Sequence, residues 1–169
     1  MAKKASYADI GKGIVSGRFK SYIIDDSQYL MAFESFDKAK ITGYGKFTDM
    51  AVNFREVIRC AVEDTPDDCI VYFLHHTETT ETGKIKAKTI GKMLDNQLTL
   101  EGLFSIVLLC EAAKDRHFFI TKSDGTNTAK SPMDMFETEI DNDLKFVDTT
   151  IRAYWNLNNQ KENQHGETA

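Results

Sequence analysis

The sequence predicts an α/β fold, three layers deep, around a mixed and mainly parallel sheet. Three observations predict it. Two short runs rich in β-branched and aromatic residues, 20–24 and 69–74, each end abruptly in polar side chains. That is the pattern of strands packed on both faces. Between them, residues 49–63 carry apolar positions at helical spacing, and a strand–helix–strand alternation closes a parallel pair. Further on, the apolar runs 104–110 and 117–121 are separated only by a short turn, which suits local antiparallel pairing. A chain of 169 residues, 41% hydrophobic and 28% charged, can bury one real core. One domain is expected over 1–157, followed by a tail at 158–169. The tail is almost without apolar residues and is expected to be disordered.

Taken in order, residues 6–17 read as a short helix with Ile10 and Ile14 on one face and Gly17 at its end. Gly11 and Gly13 do not make a phosphate loop, because Gly-x-x-x-x-Gly-Lys-[Ser/Thr] is absent. Gly43-Tyr-Gly-Lys-Phe-Thr48 is a partial look-alike and reads as a turn before a helix. Residues 29–36 suit one or two helical turns. In 49–63, Val52, Val57, Ile58 and Ala61 supply the apolar stripe, and Arg55, Glu56 and Arg59 face water. Thr65-Pro-Asp-Asp68 is a turn. Glu81-Thr-Gly-Lys84 turns a hairpin. A short helix is expected within 93–103, strands over 104–110 and 117–121, and a tight turn at 123–127. A last helix within 140–154 carries Leu144, Val147, Ile151 and Tyr154 on one face.

The functional candidates follow from the strand ends. Asp25 and Asp26 sit at the carboxyl end of the first strand, where open α/β sheets keep their ligands. An acid in that position can hold Mg²⁺ through a water while its neighbour polarises the attacking water. The plainer alternative is that the two acids cap a helix starting near Ser27. His75, His76 and Thr77 follow the second strand. If the strands are parallel neighbours, these residues lie beside the acids and can sense a γ-phosphate; alone, they merely end a strand. The histidines lack the spacing of a His-Glu-x-x-His zinc site. Lys84, Lys86, Lys88 and Lys92 fall within nine residues. They are either a solvated hairpin or contacts to a nucleic-acid backbone. Lys130 is a second basic spot after a glycine turn.

Charge and cysteine content narrow the classes. A net charge of −5 argues against a binder that uses its whole surface on nucleic acid, but leaves room for a basic strip. Cys60, Cys69 and Cys110 lie in apolar segments with no Cys-x-x-Cys pair, as expected of buried thiols in a reducing compartment. No signal peptide or membrane span is legible, so a cytoplasmic location and no membrane partner are expected.

Six segments together carry a resemblance. They are Tyr22-Ile-Ile-Asp-Asp-Ser-Gln-Tyr-Leu-Met31, Val71-Tyr-Phe-Leu-His-His-Thr-Glu78, Lys86-Ala-Lys-Thr-Ile-Gly-Lys-Met-Leu-Asp95, Glu101-Gly-Leu-Phe104, Thr128-Ala-Lys-Ser-Pro-Met133 and Ile140-Asp-Asn-Asp-Leu-Lys145. In this order, over roughly 19–157, the chain resembles phage-encoded RecA-like ATPases of the Sak group, which serve recombination and single-strand annealing. The resemblance implies a RecA-like P-loop NTPase core, ATP with Mg²⁺, single-stranded DNA and the host cytoplasm. It makes Asp25 and Asp26 the Walker B pair, with Asp25 on the metal, and places the sensor region at His75, His76 and Thr77. Lys88, Lys92 and Lys130 become candidates for DNA or for phosphate across a subunit interface. The family's Gly-Lys-[Ser/Thr] loop has no counterpart here. The core is therefore expected to be truncated at its N-terminus, to expose an apolar sheet surface or edge, and to work as a homo-oligomer or with a separate Walker A-bearing segment. Three readings stay open: part of a recombination ATPase, a non-catalytic DNA-binding or assembly module of the same fold, and an accessory protein with no nucleotide role.

Overall fold

The computed structural model describes residues 5–91, 94 and 99–157. Lys92, residues 93 and 95–98 of the helix expected within 93–103, and the 158–169 tail lie outside the described residues. The chain is a mixed α/β protein of small sheets, one of them parallel. It divides into two compact units, Met1–Phe104 and Ser105–Ala169, at a point that no composition shift marks.

In the first unit, α1 (Tyr7–Val15) starts from a capping box. The Asp9 N–H donates to Ser6 Oγ at 3.2 Å and the Ser6 N–H donates back to the Asp9 carboxylate at 3.1 Å. The helix stops at Gly17, whose φ of 59° suits glycine. A Cβ there would also lie 2.6 Å from the Pro66 ring. β1 (Ser21–Ile24) leads through a turn into α2 (Gln28–Asp37) and then α3 (Gly45–Arg59), which loosens into a π turn at Cys60–Asp64. β2 (Ile70–Phe73) returns parallel to β1, with Ser21 opposite Ile70 and Ile24 opposite Phe73. β3 (Thr77–Thr79) and β4 (Ile85–Ala87) form the expected hairpin, with Glu78 opposite Lys86. A 3₁₀ turn at Leu100–Leu103 follows. Met31, Ala51, Phe54, Ile58, Leu94 and Leu100 form the core of this unit, with Phe73, Ile90 and Phe104 packed against it.

Two expectations change here. β1 is not covered on both faces: Ile24 is buried, but Ile23 is 56% exposed. A two-stranded sheet has α2 and α3 to cover one side only. In α3 the buried stripe is Met50, Ala51, Phe54, Val57 and Ile58, whereas Val52 is exposed. The helix starts four residues earlier than its charges suggest, and Met50, Phe54 and Val57 recur every three to four residues on the inner face.

The second unit is an antiparallel sheet with one helix. β5 (Leu109–Ala113), β6 (Arg116–Ile120) and β7 (Glu139–Asp141) lie in that order. The β5–β6 turn takes two residues, and Lys114 has φ 52°. The strand expected over 104–110 pairs antiparallel with its hairpin neighbour β6, but it spans Leu109–Ala113, and Val107 makes only a single bridge to Lys130. Once a two-residue hairpin closes, residues next to it in sequence are its cheapest partners. The last helix, α4 (Leu144–Tyr154), is capped by Asp143, whose carboxylate accepts from the N–H groups of Lys145 at 2.8 Å and Phe146 at 3.2 Å. Its buried face is Val147 and Ile151. Cys60 and Cys69 are half-buried, whereas Cys110 is exposed because it sits on the outer face of an edge strand.

Candidate functional site

Because β1 and β2 run parallel and in register, both chains leave the sheet at the same end. The ladder continues past the strands: the Leu74 N–H donates to Ile24 O at 3.0 Å, and the Ser27 N–H donates to Leu74 O at 2.8 Å. The Asp25–Ser27 turn is thereby clamped onto the residues after β2. Asp26 takes φ 50°, a left-handed conformation that aspartate tolerates better than most residues. Its carbonyl accepts from the Tyr29 N–H at 2.8 Å and opens α2. No side chain of Ser27 caps that helix.

Two pairs cross between the strand ends. His76 Nε2 lies 3.0 Å from Asp26 Oδ1, with half or more of each side chain in solvent and the Tyr29 ring edge-on to the imidazole. Behind them, His75 Nδ1 lies 2.8 Å from Ser27 Oγ, and His75 Nε2 lies 2.7 Å from the Lys88 carbonyl. Ser27 is fully buried and its hydroxyl also lies 3.0 Å from Leu74 O. The Lys88 carbonyl can only accept, so Nε2 carries a proton. In the neutral ring Nδ1 is then bare and takes the Ser27 hydroxyl proton, while Leu74 O keeps the Ser27 N–H. Burial lowers the His75 pKa from its ordinary value. The bond to Lys88 and the charge of Glu101 work against that shift, and His76 adds to it. The neutral Nε2–H form is therefore the resting state.

His75 also ties the strand end to the hairpin. Its ring holds the Lys88 carbonyl, and the Lys88 N–H donates to His76 O at 2.8 Å. Glu101 completes the anchor: it is 7% exposed, and its carboxylate accepts the Ala87 N–H at 2.7 Å.

The expected residues thus fall into three sets. Asp25, Asp26, His75 and His76 share one end of the parallel sheet, and Thr77 follows directly as the exposed first residue of β3. Asp25 is exposed and its carboxylate has no hydrogen bond or ion pair among the described residues. Lys84, Lys86 and Lys88 share one face of the hairpin, since they alternate with Ile85 and Ala87. Lys84 and Lys88 are exposed, but Lys86 is bound to Glu78 at 3.0 Å. Lys130 belongs to the second unit, where its backbone bonds twice to Val107. Ser27 and Glu101 were not singled out from the sequence. Ser27 reads only as the start of the helix that Asp25 and Asp26 would cap, and only the β2 register turns its hydroxyl toward His75. Glu101 had a faint signal, an acid inside the apolar Leu100-Glu-Gly-Leu-Phe104.

Among the described residues, no group of three or more His, Cys, Asp or Glu side chains is placed to hold a metal ion. Asp25 offers one free carboxylate. That fits Mg²⁺ delivered on a polyphosphate, which keeps most of its waters and needs one or two carboxylates, but it does not fit a protein-only metal cage. Among the described residues no helix is long and apolar enough to cross a membrane. Compared with family models, curated proteins and solved structures, the chain matches none.

Proposed function

We propose that this chain is the Walker B-to-C-terminal portion of a RecA-like nucleotide-hydrolysing domain serving DNA recombination or single-strand annealing. The observation that supports the reading most is the shared strand end, where an unpaired Asp25 stands beside the Asp26–His76 pair at the carboxyl ends of two parallel strands. In this reading Asp25 carries a water of the Mg²⁺ that accompanies ATP. Asp26 and His76 face the attacking water, and His75 passes the state of the site to the lysine hairpin through Lys88. Mg²⁺ would supply charge neutralisation on the phosphates. The chain contains no Gly-Lys-[Ser/Thr] loop to cradle them, so the affinity of these residues for nucleotide is weak and hydrolysis needs a phosphate loop from outside them.

Calorimetric titration with ATP tests this. Binding in the millimolar range that requires Mg²⁺ and disappears in Asp25→Ala is the expected result. Hydrolysis by the chain alone should not exceed that of the Asp25→Ala, Asp26→Ala double variant. Binding that ignores both Mg²⁺ and Asp25 would sink the reading.

The second reading, a DNA-binding or assembly module without catalysis, is favoured by the two exposed lysines of the hairpin. With Lys86 held by Glu78, two phosphate contacts are available from Lys84 and Lys88. The slope of log affinity for single-stranded DNA against log salt should then be about −1.4. Lys88→Ala should halve it. DNA binding with no nucleotide binding selects this reading over the first.

A further inference from the structure

α2 is apolar on two opposite sides. Gln28 and Met31 face inward and are buried. On the other side Tyr29, Phe33 and Phe36 stand at i, i+4 and i+7, exposed by 41%, 62% and 80%. The Tyr29 and Phe33 rings touch, with centroids 5.6 Å apart. A helix face turned to water is normally polar, and an aromatic row in its place marks an interaction surface.

The turn before this row is acidic, and the far end carries both signs, since Asp37 is exposed beside Lys40. Asp25 and Asp26 precede the helix. Lys40 follows it, exposed and without an ion pair among the described residues, whereas Lys38 is already held by Glu34 and Asp49. Position 33 is midway between Asp26 and Lys40. If two copies of α2 cross antiparallel with Phe33 on the twofold axis, the acidic turn of each meets Lys40 of the other. The helix dipoles then also oppose. At about 200 Å² per aromatic residue, the exposed parts of the row amount to on the order of 370 Å². A stable interface needs about 800 Å² from each partner, so the row supplies about half of one and the pair it makes is weak.

We propose that the protein pairs with a second copy of itself through α2, antiparallel about Phe33, and that Lys40 of each copy comes to the Asp25–Asp26 turn of the other. Each copy thereby supplies a positive charge to a turn that carries two negative ones. The pairing is isologous, so one surface serves both partners. It draws on the same Asp25–Asp26 turn as the nucleotide reading but does not depend on it, and it is tested without nucleotide.

Sedimentation of the full chain should show a dimer that dissociates on dilution. Phe33→Glu should give a monomer with an unchanged circular dichroism spectrum. Asp25→Lys and Lys40→Glu should each weaken the dimer about tenfold, and the two together should restore it, because the swap rebuilds the pair with reversed sign. With exposed Cys110 replaced by Ser, Phe33→Cys should form a disulfide-linked dimer on mild oxidation, whereas the Cys110→Ser chain and its Tyr29→Cys variant should not; this also covers the case in which Phe33→Glu fails to fold. A wild-type monomer at about 100 μM, a dimer that survives Phe33→Glu, or a charge swap without rescue would overturn the proposal.

Discussion

At the scale of single residues, His75 carries the clearest consequences. Its folded pKa lies below its ordinary value because burial penalises the charged ring. Between the two values the unfolded chain binds more protons than the folded one, so stability rises with pH there. The contribution is fully present above about pH 6.5 and is lost as pH falls toward the folded value. Thermal melts between pH 7.5 and about 5 should show this loss in the wild type and not in His75→Gln. Ser27 gives a second test. Ser27→Ala leaves the buried Nδ1 without a donor, while Leu74 O retains the backbone N–H. The change should cost about 1–2 kcal/mol in urea denaturation. Retention of full stability would show that the hydroxyl contributes nothing to holding the two strand ends together.

At the scale of elements, local chemistry and tertiary packing separate cleanly. α1 and α4 begin where Ser6 and Asp143 cap them, and both signals act over a few residues. α3 shows the opposite case, because its inner face was decided by what Met50, Phe54 and Val57 pack against. The Asp143 cap is testable. Its carboxylate accepts two N–H groups at the start of α4, so Asp143→Ala should lower stability by about 1 kcal/mol, whereas Asp143→Asn should lower it by only a few tenths. Equal losses would mean that the charge at the helix N-terminus matters more than the capping geometry. The hairpin makes the same point about function. Four lysines in nine residues look like one basic strip, but cross-strand pairing gives Lys86 to Glu78. A count of charges therefore overstates the free ones.

At the scale of the whole molecule, the chain forms two compact units, a core cluster in the first and buried apolar residues such as Phe136, Val147 and Ile151 in the second. Each has its own secondary structure: a parallel pair with three helices and a hairpin in one, an antiparallel sheet with α4 in the other. Units with separate cores need not unfold together. Scanning calorimetry should give a ratio of calorimetric to van't Hoff enthalpy above one, and guanidinium unfolding should not coincide when followed by far-ultraviolet dichroism and by Trp155 fluorescence, which reports the second unit. A ratio of one with coincident curves would mean that the two units melt as one.

The sequence by itself determined the α/β class, strands at residues 21–24 and 70–73, the first and last helices, and the polar residues Asp25, Asp26, His75 and His76 that end the two strands. Those features depend on side-chain period and on the chemistry of neighbouring residues, which any window of the chain displays. Only the tertiary structure decided that β1 and β2 are in register, that Ser27 turns to His75, that Lys88 and Glu101 anchor the hairpin, and that the late antiparallel strands belong to a second unit. Each of these joins residues far apart in the chain or chooses between partners of equal apolar character. Such choices are set by loop closure and by which surfaces remain to be covered, and neither is written in a local pattern.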